Sequence, residues 1–169
     1  QPQSTAEKEI VNLKQAYDSV SFINRGIFSY IPPEKIKPNF KVRYSEKIIK
    51  SLHEFITNDI PYELNNPGAY RNHGVEVGDR RHGGIYRPPK ILPDIQKLMT
   101  EYIDWINSEE IMQENVYIRA ALSHYYLALI HPFGDGNGRT ARLFEAFILE
   151  GHRIKYVPKM LSNFYYRNM

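Results

Sequence analysis

Residues His131–Arg142 read HPFGDGNGRTAR, a histidine, an acid, a glycine-rich turn and two arginines between two apolar runs. Pro132 disfavours helical geometry at the residue before it, so the apolar helix must stop at His131. Gly136-Asn137-Gly138 then opens another helix, RTARLFEAFILEG, which runs to about Gly151. The backbone N–H groups of that turn and the unpaired donors of the helix's first turn converge on an anion, with the helix dipole behind them. Arg139 and Arg142 share a helix face, so both guanidiniums can clamp one polyphosphate. Phe133 is placed to drop into the core and pin the turn. A carboxylate at Asp135 would repel a phosphate; it makes sense as a ligand of Mg2+, which takes one or two carboxylates together with substrate phosphates. His131, with an ordinary pKa of about 6.5, suits a general base near neutral pH. The combination specifies transfer of a phosphate-bearing group, in which the protein supplies positioning and charge stabilisation. It is not a Walker loop, because GxxxxGK[ST] is absent.

Working outward, the pattern predicts a mostly α protein with one β-hairpin. Ser4 and Glu7 form a capping box, and Ile10, Leu13, Tyr17 and Val20 follow at helical spacing until Asn24-Arg25-Gly26, where the helix is expected to stop. Residues 31–40, with Pro32, Pro33 and Pro38, read as an extended connector. Ser45 caps a helix with Ile48, Leu52, Phe55 and Ile56 inward. Between Asn65 and Pro89 the helical period is lost; Val75 and Val77 alternate with polar neighbours, GDRRHGG intervenes, and Ile85-Tyr86 leads into Pro88-Pro89, which together read as a short irregular hairpin. Pro93-Asp94 opens a helix carrying Ile95, Leu98, Tyr102 and Ile106. One continuous helix is then expected from Glu109 to Ile130, and its AALSHYYLALI half, apolar nearly all round, reads as the central buried helix. LSNFYYRN starts a last helix.

Composition bounds the rest. A chain of 169 residues fits one domain, and 42% hydrophobic with 24% charged residues is ordinary for a globular protein. A net charge of +3, without a dense Lys/Arg block, suits an anionic ligand but does not indicate nucleic acid. With no cysteine, disulfides, thiolate metal sites and cysteine nucleophiles are excluded. No apolar run approaches the roughly 18 residues of a membrane span, and QPQSTAEKEI is not a signal peptide, so the expectation is a cytoplasmic protein with no membrane contact. The start at Gln1 and the end at Met169 read as those of an excised or truncated piece.

HPFGDGNGRTAR resembles the signature of the Fic domain family, HxFx[D/E]GNGRxxR, with every specified position filled. The resemblance covers roughly Ser45 to Gly151. It implies a Fic-type helical domain, 1–169, with an N-terminal helix over 1–30 in the place of an inhibitory helix, a core over 45–151 and a helical tail over 152–169. It also implies an adenylyltransferase that moves AMP from ATP to a Ser, Thr or Tyr hydroxyl of a target protein. By that resemblance His131 deprotonates the target hydroxyl and Asp135 holds Mg2+ on the α and β phosphates. Gly136, Asn137 and Gly138 form the anion nest, Arg139 stabilises the developing pyrophosphate, and Arg142 holds the γ-phosphate. The hairpin becomes a flap, about Gly83, Gly84, Ile85 and Tyr86, that covers the nucleotide and docks the target as an added strand; for Ile85 and Tyr86, plain packing beneath a hairpin stands beside that reading. Asn163 and Tyr166 fall where the adenine pocket tends to form, against packing of a terminal helix. Gly138 separates the chain from the kinase-like Doc branch, which has lysine there.

Many Fic proteins carry an inhibitory helix, [S/T]xxxE[G/N], whose glutamate pairs with the second arginine of the signature. Here SVSFINRGI puts Ser21 at the start and Gly26 at the end, with Arg25, or Asn24 one residue off, where the glutamate belongs. The expectation is therefore an uninhibited enzyme, one restrained by a separate antitoxin-like partner, or an engineered change. Against simple packing of this helix none of these is decided. Oligomerisation of the chain with itself is left open. Other readings are transfer of UMP, GMP or phosphocholine, removal of AMP, and a non-catalytic module that binds a strand along the hairpin. Zinc hydrolysis is disfavoured because His124 and His131 are not an i, i+4 pair.

Overall fold

The computed structural model describes residues 4–29, 43–81 and 83–154, with Tyr156, Val157, Met160, Leu161 and Phe164 beyond them, and for 21–29 the backbone alone. Six helices follow in chain order: α1 (Thr5–Ser29), α2 (Glu46–Thr57), α3 (Leu92–Ile106), α4 (Glu109–Gln113), α5 (Val116–Ile130) and α6 (Asn137–Gly151). The first begins as its capping box requires: Glu7 N donates to Ser4 Oγ and Ser4 N donates back to the Glu7 carboxylate. Its inward register is Leu13, Ala16, Tyr17 and Val20. Ile10, expected on that stripe, is 68% exposed, and the helix runs through Gly26 instead of stopping there. The connector expected over 31–40 lies outside the described residues, as does most of the tail.

Ser45 Oγ caps α2 by accepting from Ile48 N, and the helix buries Ile49, Leu52, His53, Ile56 and Thr57. Phe55, expected inward, is exposed, because the buried arc turns on Ile49, Leu52 and Ile56 and leaves position 55 on its far side. In α3 the start is set by Pro93 in the first turn and by Asn72, whose Oδ1 accepts from Leu92 N at 2.9 Å. The helix expected over 109–130 is two helices. Glu114 is extended, and Asn115 Oδ1 takes Tyr117 N at 2.9 Å, so an N-cap within the run wins over its continuous apolar pattern.

The central helix is α6, not α5. Ten of its residues are buried, Leu143 to Leu149 without a break, and α1, α2 and α5 all pack against it. On α5, Tyr117, Ile118, Tyr125 and Tyr126 are exposed, since tyrosine can present its ring to a neighbour and its hydroxyl to water. Among the described residues the expected hairpin reduces to one antiparallel bridge, Val77–Tyr86, closed by two 2.9 Å backbone bonds. Few residues separate this bridge from Asp79, where Gly84 N donates to Asp79 O and the chain reverses. No helix among the described residues is long and apolar enough to cross a membrane.

The short link from α5 to α6 is anchored by Phe133, fully buried and stacked on the ring of His53 at 3.7 Å. Deleting that ring leaves a cavity between α2 and the link. Phe133→Ala is expected to lower stability by about 3–5 kcal/mol in urea unfolding followed by circular dichroism. A loss under about 1 kcal/mol would show that the link does not depend on this ring.

Candidate active site

His131 closes α5 in the left-handed region, φ 50 and ψ 56, with its N–H still bonded to Leu127 O at 3.1 Å. Histidine is among the few residues other than glycine that populate this region, and Pro132 removes the helical alternative. The side chain is equally constrained. Nδ1 lies 3.1 Å from Ala128 O, an oxygen that can only accept, so Nδ1 carries the proton and Nε2 keeps its lone pair. Burial holds the pKa below the ordinary histidine value; Ala128 O and Asp135 oppose that shift, and the guanidinium of Arg71 adds to it.

After Phe133 the link is held by its own next helix. The Asn137 side chain accepts from Phe133 N and donates to Phe133 O, both at 2.9 Å. That amide is thus spent on the loop, and what Asn137 offers an anion is its backbone. Gly136, at φ 72, caps α6 without any side-chain bond, so the first-turn N–H groups have no side-chain cap. A Cβ there would stand 2.8 Å from Thr57 Cγ2 as well as in a disfavoured backbone region. At Gly138 the missing side chain makes room for Arg142, whose Nη1 lies 3.4 Å from where a Cβ would be.

Arg139 is flanked by two acids. Its Nη2 donates to Asp135 Oδ2 at 2.5 Å, and its Nη1 is 3.0 Å from Glu9 Oε1 of α1 without the alignment of a hydrogen bond. Glu9 also accepts from the Tyr62 hydroxyl at 2.9 Å. An acid thus does reach the site from α1, but from the other end of the helix than the inhibitory position read at 21–26, and at the first arginine rather than the second. Glu9 sits four residues before Leu13, on the buried register of α1, and Thr5-Ala-Glu-Lys-Glu9 matches the inhibitory pattern up to its last position, where Ile10 stands. That is the signal that would have found it. Ser21, Asn24, Arg25 and Gly26 all lie within α1, with side chains outside the described residues.

Other residues brought to the link had no signal in the pattern. His53 Nδ1 accepts from Gly68 N at 3.0 Å, so Nε2 carries the proton and donates to Asp135 O at 3.0 Å. Asn65 Oδ1 accepts from Asp135 N at 3.2 Å. Both sides of the Asp135 peptide are thereby fixed, and its carboxylate, about one-third exposed, projects from a rigid backbone. Arg71 reaches His131 O from the loop before the bridge. Gly83, Gly84, Ile85 and Tyr86 lie exposed on the loop, and Tyr86 forms the bridge to Val77. Asn163 and Tyr166 are outside the described residues.

A family model described as "Fic/DOC family" matches residues 43–149, more than half of the chain. Similar proteins include the protein adenylyltransferase fic-1 of Caenorhabditis briggsae, 36% identical over 59% of this chain and 20% of that protein. The protein adenylyltransferase Fic of Nematostella vectensis is 35% identical over 64% of this chain and 26% of that protein. The chain thus spans about a quarter or less of the length of these relatives. Among solved structures, a Fic family protein from Desulfovibrio desulfuricans G20 superposes over 94% of this chain and 41% of its own, with a TM-score of 0.69 at 22% identity. A Fic domain containing signaling protein from Bacteroides thetaiotaomicron gives 0.69 at 23% identity over 90% of this chain and 51% of its own, a likeness of fold.

Burial holds the His53 pKa down to about 4. Unfolding restores an ordinary imidazole, so the unfolded chain binds the extra proton first as pH falls. Stability from this group is full above about pH 6.5 and is lost progressively down to about pH 4, on the order of 3 kcal/mol in all. Urea midpoints measured across that range test it. His53→Gln is expected to be less stable at neutral pH and to lose less on acidification; an equal slope in both proteins would refute the assignment.

Proposed function

The chain belongs to the Fic/DOC family, and on that premise we propose that it transfers AMP from ATP to a Ser, Thr or Tyr hydroxyl of a target protein. The relatives named as protein adenylyltransferases support the nucleotide. The observation that carries the chemistry is His131, whose Nδ1–H is tied to Ala128 O and whose Nε2 is left basic beside the uncapped start of α6. In this reading Nε2 takes the proton of the target hydroxyl as its oxygen attacks the α-phosphorus. The α–β P–O bond breaks, and pyrophosphate leaves. The N–H groups at Gly136, Asn137 and Gly138 would receive phosphate oxygens, and Arg139 and Arg142 the charge that develops on the leaving group.

Among the described residues no three His, Asp or Glu side chains are grouped to hold a metal ion. The single partly exposed carboxylate of Asp135, on a backbone fixed by His53 and Asn65, suits instead an Mg2+ ion that arrives with the phosphates. When bound there, Mg2+ would neutralise charge on the phosphate oxygens. Arg139 would have to leave Asp135 and turn to the nucleotide. The loop around the Val77–Tyr86 bridge would lie over the nucleotide and receive the target. A separate inhibitory partner is not needed to bring an acid to the site, because Glu9 already stands against Arg139.

Two measurements test this reading. With ATP labelled at either the α or the γ phosphate, label is expected to pass to protein from the α position only, and to be lost in His131→Ala. Transfer from γ would mean a kinase, and absence of transfer with any nucleotide would favour a binding module. Removing the Glu9 charge takes a like charge away from the phosphate site and releases one of the two acids that hold Arg139, Asp135 being the other. Glu9→Gln is therefore expected to tighten binding of Mg2+-ATP about three- to tenfold, read by calorimetry; unchanged or weaker binding would show that this acid does not oppose the nucleotide.

A further inference from the structure

Arg71 is 4% exposed, yet its hydrogen-bond partners are carbonyl oxygens and not carboxylates. Nε donates to His131 O at 2.8 Å, and Nη1 donates to His73 O and to Pro89 O, both at 2.6 Å. The backbone N–H of the same residue donates to Pro132 O at 3.0 Å. His73 and Pro89 are the two feet of the loop that carries the Val77–Tyr86 bridge, so one planar guanidinium joins both feet to the peptide of the base. A buried cation without an acid is costly, and the bonds it makes here coincide with the left-handed turn at His131.

We propose that Arg71 is a positioning residue: it holds the His131 peptide in its left-handed turn, so that the imidazole keeps Nδ1 on Ala128 O and presents Nε2, and it locks the foot of the bridge loop to that base. The proposal rests on the reading of His131 as the base. The fork geometry matters, since three carbonyls in different directions need donors fixed in one plane, which the single ammonium of lysine does not supply. Two charged groups act on the imidazole, Arg71 and, opposing it, Asp135. Removing the first therefore moves the titration of His131 upward.

The test compares wild type with Arg71→Met and Arg71→Lys, each checked for a cooperative melt. The first readout needs no turnover: histidine ring nitrogens are labelled with 15N, His131 is assigned by its loss in His131→Ala, and tautomer and titration are followed by NMR. Wild type is expected to show one tautomer, protonated at Nδ1. Arg71→Met is expected to show a mixture and to titrate at higher pH, whereas Arg71→Lys shows the mixture with a titration near that of wild type. The second readout is transfer from α-labelled ATP at varied ATP concentration: kcat is expected to fall at least about tenfold in both variants, with KM within about threefold. A folded Arg71→Met with the wild-type tautomer, titration and kcat overturns the proposal. If that variant does not fold, wild-type kcat and a single tautomer in Arg71→Lys overturn it. Label transfer that survives in His131→Ala would instead sink the reading of His131 as base, and the tautomer readout would still decide what Arg71 does.

Discussion

Phe133 lies flat on His53, and much of the site hangs from that contact. The stacked pair is fully buried, and each partner is committed a second time. Phe133 gives both its backbone groups to the Asn137 side chain, and His53 gives both its ring nitrogens to the backbone at Gly68 and Asp135. Six residues that bridge two helices would ordinarily be a mobile loop. Here the apolar contact supplies the free energy and the hydrogen bonds supply direction, so a link with no regular structure becomes a rigid mount for His131 and Asp135.

Charge is arranged around this mount in an uneven way. Arg139 stands between Asp135 and Glu9, in contact with acids that a polyphosphate would have to displace. Deeper in, Arg71 and Arg119 are buried and bonded to carbonyls rather than acids, the second at Met112 O with the ring of His152 as a further partner, and each keeps one buried nitrogen, Arg71 Nη2 and Arg119 Nε, without a hydrogen bond. His152, like His131, is held below its ordinary pKa, by burial first and then by its arginine. Neutral imidazoles beside permanent cations follow from the order of pKa values: guanidinium does not give up its proton in this range, so the histidine does.

The parts legible in the linear pattern share a cause. The Ser4–Glu7 and Ser45 caps, the Pro93 start and the stop at His131 depend on residues a few positions apart, and local rules reach that far. Where local rules competed, the reading failed. Asn115 caps a new helix inside what reads as continuous apolar periodicity, Phe55 lies on the far side of α2 from its buried arc, and the hairpin closes only one bridge. The apolar richness of α5 reads as centrality, but four of its large residues are exposed while α6, with two arginines and two glutamates, runs through the middle.

By itself the order of residues determined the chemical set: base, acid, nest and paired arginines lie within one short stretch, so their mutual distances are limited by chain geometry whatever the rest of the protein does. Only the tertiary structure decided what stands around them. His53, Asn65, Arg71 and Glu9 reach the link from far away in the chain, each through a single polar atom or two. Such contacts leave no periodic trace. They depend on which face each helix turns inward, and packing around α6 sets that only once the whole chain has folded.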